Sequence, residues 1–252
     1  MIYAKSGDEV LAGRYVKKGA ETGKLHWLSD IFGPRHSHGA APGPQALMSE
    51  QEPGEVIHPH FHGTAQFQLF PAGGGTIGRK NDPLLPLMVQ FKDHHTAYGP
   101  LVAGPNGMTF FSLRVFTGNS RPVYLTEPDY RDLLKPSKRR NWLSPRLELS
   151  SPSWLQNRRE ASWESLWNPA DIDDEMNAQL LRLGAGQKVA GPDPRRAAGY
   201  YVFVVNGSMV HDNRDLGAWS MSVVEPTEAG FDIVAGDRGL EALVLEFPRD
   251  YE

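Results

Sequence analysis

Two stretches of this chain recur at one fixed separation. ALMSEQEPGEV, from Ala46, matches AQLLRLGAGQKV, from Ala178, and VAGPNGMTFFSLRVF, from Val102, matches VAGDRGLEALVLEFP, from Val234. Each pair stands 132 residues apart. Between these anchors AQFQLFPAGGG and AGYYVFVVNGS take matching places, with a local shift of about two residues. Separated blocks that share one offset mean one module present twice, roughly 20–125 and 155–250. The repeated blocks read as strands. QFQLF, MTFFSLRVF, YYVFVVNG and LEALVLEF are short, rich in β-branched and aromatic residues, and bounded by turn formers. With 26 glycines and 20 prolines in 252 residues, turns must be frequent. An all-β chain of two sandwiches or barrels is expected. The boundaries read as a first module over 1–125, a linker with one short helix over 126–154, and a second module over 155–252. Helical periodicity is weak, and its best candidates are Glu127–Leu134 and Glu160–Trp167.

Composition removes several classes of function. There is no cysteine, so disulfides, thiolate metal sites and cysteine nucleophiles are excluded. A formal charge of −4 gives no reason to expect nucleic acid or an anionic membrane as partner. The N-terminal MIYAKSGDEVLAGRYVKKGA lacks the apolar core of a signal peptide, and no apolar run is long enough to span a bilayer. A cytoplasmic protein acting on a small molecule is the expectation.

The chemistry concentrates in PGEVIHPHFHGTAQFQLFPAGGG, where His58, His60 and His62 alternate. On a strand, alternate residues share a face. Imidazoles so placed suit Zn, Fe, Cu, Ni and, less strongly, Mn. The evident suppliers of a third ligand are His94 and His95, of which only one faces inward if VQFKDHHTAYGP is extended; His95 is preferred. The second module has Pro192 and Pro194 at the places of His60 and His62, and proline offers no donor atom. The modules have therefore diverged, one keeping a site and the other doing structural or interface work.

The spacing Gly54, five residues, His60, Phe61, His62, three residues, Gln66, six residues, Gly73 resembles the first motif of the cupin superfamily, G-x5-H-x-H-x3or4-E-x6-G, with glutamine for the family's glutamate. That family's second motif supplies a further histidine, which His95 or His94 fits. The PxG before that histidine and the asparagine after it are not recognisable. The resemblance implies two cupin-type antiparallel barrels in tandem, a bicupin, with a divalent metal near the axis of the first only. The ligands it implies are His60, His62, Gln66 and His95, with His94 as the alternative. His58, Gln68, Tyr98 and Arg114 are then second-rank contacts of metal or substrate. A neutral amide in place of a carboxylate raises the formal charge of such a site by one unit, which weakens metal affinity and favours anionic chelating substrates. The leading expectation is a non-haem iron dioxygenase acting on a small diketone, hydroxyketone or phenolic compound. Zinc, manganese or nickel are the other candidate metals. A non-redox isomerase or lyase of a sugar or keto acid, and a ligand-binding cupin without catalysis, are the alternatives. The fold alone does not name a reaction.

The remaining motifs are weaker. His36 and His38 have ligand spacing but lie in a glycine- and proline-rich loop. AGGGTIGRK lacks the ending of a phosphate loop and reads as a hairpin turn. KPSKRRNW is a short basic run in the linker, and DIDDE at 171–175 reads as a solvated turn. Association into homodimers is expected, because antiparallel barrels with terminal extensions have strand edges to cover.

Overall fold

The structure, a computed structural model, describes residues 3–18, 23–33, 43–116, 118 and 120–252. It is all-β and mostly antiparallel. Strand contacts divide it into two units, one of residues 13–147 with 251–252, the other of residues 1–12 with 148–250. Among the described residues no helix is long and apolar enough to cross a membrane.

In the N-terminal unit the sheet order is Asn141–Leu143, Met88–Lys92, Gln66–Ile77, Leu101–Arg114, Gln45–Gln51, Leu25–Phe32, Tyr15–Lys18. Val56–Ile57 joins Leu101–Arg114, and Asp82–Leu84 joins Gln66–Ile77. The C-terminal unit repeats the scheme with Tyr3–Lys5, Met221–Val224, Tyr200–His211, Asp232–Glu246, Asn177–Leu183, Ser162–Ser165. Lys188–Ala190 and Arg214–Leu216 take the side positions.

The repeat seen in the sequence is thus a repeat of topology. It extends to single backbone angles. Asn81 and Asn213 have φ of 56° and 58°, and Leu87 and Trp219 have φ of 69° and 68°, each pair at the 132-residue separation. Left-handed φ is uncommon for residues with a Cβ, so its recurrence at matching places reflects one shared backbone path. A close approach recurs as well. A Cβ on Gly73 would lie 2.4 Å from the Gly107 carbonyl oxygen, and one on Gly207 would lie 2.0 Å from that of Gly239. Both crossings accompany β-bulges between the two longest strands of each unit.

The inward positions of these strands fill each core. Phe70, Leu101, Met108 and Phe110 pack in one unit; Leu181, Val202, Leu240 and Val244 pack in the other. Three expectations about local structure are corrected. Residues 1–12 do not belong with the first module: Tyr3–Lys5 supplies the edge strand beside Met221–Val224, and Gly7 N–H donates to Ser220 Oγ at 2.9 Å. Glu127–Leu134 forms successive turns rather than a helix, with bonds three residues apart such as Asp132 N to Asp129 O at 3.0 Å. Glu160–Trp167 contains the strand Ser162–Ser165, since a two-turn helix is marginal alone and pairing with Asn177–Leu183 satisfies the backbone instead. The helix in this region is Pro152–Gln156, which opens on a proline at its first turn.

Candidate functional site

The histidine pair is held by backbone. His60–Phe61 pairs with Val123–Tyr124, and His60 exchanges two backbone hydrogen bonds with Tyr98, at 3.0 and 3.1 Å. Both rings are buried, with centroids 5.1 Å apart. His60 Nδ1 lies 2.7 Å from the His58 carbonyl and His62 Nδ1 2.8 Å from the Ser120 carbonyl. A carbonyl only accepts, so each Nδ1 carries the proton and each Nε2 carries a lone pair. Burial holds the His60 pKa at about 4, helped by the charges of Lys92 and Arg114 and opposed by the His58 carbonyl. Burial and Arg114 hold His62 well below 6.5. Both imidazoles are neutral at pH 7.

Arg114 occupies the centre. One Nη2 donates to Gln66 Oε1 at 2.6 Å and to His62 Nε2 at 3.2 Å; Nη1 donates to Gln45 Oε1. Gln66 turns its amide nitrogen to the Tyr98 hydroxyl, 2.9 Å away. Burial raises the Tyr98 pKa, so the phenol keeps its proton. Beneath lies Lys92, fully buried, its Nζ 3.2 Å from the Tyr98 ring centroid and donating to Gln68 and Gln90. Desolvation, with Arg114 nearby, pushes the Lys92 pKa well down. Above these groups opens a cleft of about 230 Å³ lined by His60, His62, Tyr98, Tyr124 and Arg114, with His26 at its side. Among the described residues that line it, none is acidic. Glu55 is close by, but it bonds His26 Nε2 at 2.8 Å.

Six of the nine residues singled out in the sequence therefore meet in one network: His60, His62, Gln66, Gln68, Tyr98 and Arg114. The other three do not join it through their side chains. His58 is exposed and contributes its carbonyl. His94 and His95 sit in a turn, with His95 at φ 53°, so the in-and-out alternation of a strand does not apply to them. Their Nδ1 atoms lie 2.8 Å from each other, and the His95 ring packs 5.8 Å from Phe61. The His95 backbone N–H donates to the His62 carbonyl, which is its link to the site. His36 and His38 lie outside the described residues. The basic run is structural in part: Arg140 forms a buried ion pair with Asp93 at 2.8 Å.

The sequence reading missed Gln45, Lys92, Tyr124 and the PxG. That tripeptide is Pro105–Asn106–Gly107, at the Gly73 crossing. The alternate residues after it, Phe110, Ser112 and Arg114, face the cleft, and none is a histidine. The offset that aligns Gly107 with Gly239 was the signal that could have located it.

A divalent cation here would have two imidazoles and an amide as donors. Among the described residues no group of three His, Cys, Asp or Glu side chains is placed to hold a metal. The Nε2 of His62 and Oε1 of Gln66 already accept from a guanidinium. A second cation beside Arg114, with no carboxylate among the described lining residues to balance it, would meet Coulomb repulsion at low dielectric. In this arrangement the residues do not fit a resident metal.

No family model matches the chain, and no curated protein matches it. Solved structures do. The chain is similar to the bacterial pirin YhhW from Escherichia coli in complex with nickel(II), with TM-score 0.58, 13% identity, and 98% and 99% of the two chains covered. It is also similar to the oxalate decarboxylase of Bacillus subtilis, whose Mn(II) centres are described, with TM-score 0.55, 11% identity, and 100% of this chain and 78% of that one covered. At identities this low the likeness concerns the fold alone: the chain shares the all-β architecture of these two proteins.

Proposed function

We propose that the N-terminal unit is the working half of a two-cupin protein, and that its cleft takes a small organic anion, a keto or hydroxy acid, on the Arg114 guanidinium. The observation that carries this is the Arg114 guanidinium, hydrogen-bonded to His62 and Gln66 under a cleft whose described lining residues include no acid. A planar, permanently charged fork suits a carboxylate or an enolate. His60 Nε2 makes no hydrogen bond with a described residue and faces the same space, as a base within reach of a carbon next to the anion. An anionic ligand opposes the charges that depress His60 and so lifts its basicity when substrate is present. A non-redox isomerase or lyase follows from these parts. The repeated topology supports the reading of two tandem modules, and exposed strand edges support a homodimer.

The test is calorimetric titration with pyruvate, malonate and glycolate, each beside its methyl ester, together with metal analysis of protein purified without added metal. Carboxylates should bind, esters should not, Arg114→Gln should abolish binding, and a chelator should change nothing. Stoichiometric metal that a chelator removes, and that His60→Ala fails to retain, would overturn this reading. It would restore the iron dioxygenase expected from sequence, in a fold whose neighbours include nickel- and manganese-containing proteins.

A further inference from the structure

The C-terminal unit has a cleft of its own, of about 630 Å³, that includes Trp163, Met176, Asn177, Gly191 and Glu246. Three of its lining residues, Gln179, Pro192 and Glu246, stand 132 residues after Leu47, His60 and Arg114, which line the cleft of the N-terminal unit. Gln45 and Arg114 are direct cross-strand partners there, and Asn177 and Glu246 are direct partners here, both at the 132-residue separation. In each pair the amide bonds the charged group: Arg114 Nη1 donates to Gln45, and Asn177 Nδ2 donates to Glu246 Oε2 at 2.9 Å. Pro192, at the place of His60, lines this cleft too. The positions match while the charge is reversed. Asp174, Glu175, Asp193 and Glu246 line the cleft against a single base, Arg196.

A second observation points to an occupant. Tyr200, the cross-strand partner of Glu246, is fully buried; the Phe231 backbone lies beside its hydroxyl, and no described side chain bonds it. It lies 2.8 Å from where a Cβ on Gly191, a cleft residue, would stand. The missing side chain at 191 leaves this hydroxyl directly behind the cleft wall. A buried hydroxyl without a side-chain partner keeps hydrogen-bonding capacity that a bound donor would use.

We propose that this cleft is a second ligand site, specific for an organic cation: an ammonium group held by Glu246 and Tyr200, with an apolar body against Trp163, Ile172 and Met176. Burial raises the Glu246 pKa, with Asn177 and Arg196 opposing, and an approaching ammonium favours its charged form. A metal ion fits less well. Asp193 is already bound by Arg195 at 2.9 and 3.0 Å, and Trp163, Ile172 and Met176 stand among the lining residues beside the acids. Trp163 is 37% exposed, which leaves its ring available to a cation.

The experiment is calorimetric titration of the whole protein with benzylammonium chloride, with benzyl alcohol as the neutral isostere. Benzylammonium should bind saturably and at least tenfold more tightly than the alcohol. Glu246→Gln should weaken it at least tenfold, and Trp163→Ala several-fold. Trp163 lies on an edge strand, so its alanine variant remains folded and decides the matter if Glu246→Gln does not fold. Equal affinity for amine and alcohol, or wild-type affinity in the folded variants, would overturn the proposal.

Discussion

Gln66→Glu tests whether an arginine or a metal organises the N-terminal cleft. Gln66 Oε1 lies 2.6 Å from Arg114 Nη2, and the residue is 1% exposed. Glutamate changes volume little but turns a neutral acceptor into an anion. Its second oxygen replaces the amide nitrogen beside the Tyr98 hydroxyl, which can rotate to donate. The gross attraction between charges about 4 Å apart is about 4 kcal/mol at an effective dielectric near 20. Desolvating the carboxylate removes most of that. What remains is the difference between a charge-assisted and a neutral hydrogen bond, about 1 kcal/mol. The melting temperature should rise by about 2–4 °C. In an Arg114→Ala background the same change strands a buried carboxylate and should cost about 3 kcal/mol. The coupling energy of the double-mutant cycle is then about 4 kcal/mol. The assay is thermal and urea unfolding of the four proteins, with and without a chelator. A coupling below about 0.5 kcal/mol would refute the argument. So would a stabilisation by Gln66→Glu that appears only when divalent metal is added.

Two further outcomes are expected. Gly73→Ala and Gly207→Ala should each destabilise by about 3 kcal/mol or more, from left-handed φ together with overpacking on a carbonyl. Gly186→Ala has a similar φ of 66° but nothing within 4 Å, and should cost only about 1 kcal/mol; equal losses in urea unfolding would remove the close-approach argument. The homodimer should give twice the monomer mass in light scattering at micromolar concentration, and a monomer there would remove that proposal.

How much was legible in the sequence differs between backbone and cleft. The strands at Gln66–Ile77, Leu101–Arg114, Tyr200–His211 and Asp232–Glu246 were visible because buried strands need apolar and β-branched runs, and tight crossings need glycine. The helix expected at Glu160–Trp167 failed because partner strands, brought from far along the chain, override a weak local preference. His95 shows the same limit of a local pattern. Spacing puts it within reach of His62, and the backbone does meet it there, but φ of 53° directs its ring to His94 and Phe61. Arg114 was visible only as a charge in an apolar strand. That three neutral acceptors converge on it from 45, 62 and 66 is a fact of tertiary pairing that no local pattern carries.

The two clefts explain why the repeat survived in one part of the sequence and faded in another. Gly73 and Gly207 face carbonyls that admit no side chain, and Asn81 and Asn213 hold left-handed turns, so substitution there strains the backbone at once. Positions 114 and 246 line clefts, where side-chain partners rather than backbone contacts constrain the residue. An arginine and a glutamate can therefore hold the same register, each bonded by the amide across the strand, on one backbone. His60 and His62 could become Pro192 and Pro194 on the same terms. Gln66 belongs to the first cleft's charge balance: beside Arg114, His62 and Tyr98, a neutral amide accepts from the guanidinium and donates to the phenol and adds no charge opposite the arginine's. A glutamate would neutralise that charge. The absence of an acid at position 66 is thus what an anion-binding cleft requires, and the same substitution that would strengthen a metal centre should abolish the affinity for carboxylates.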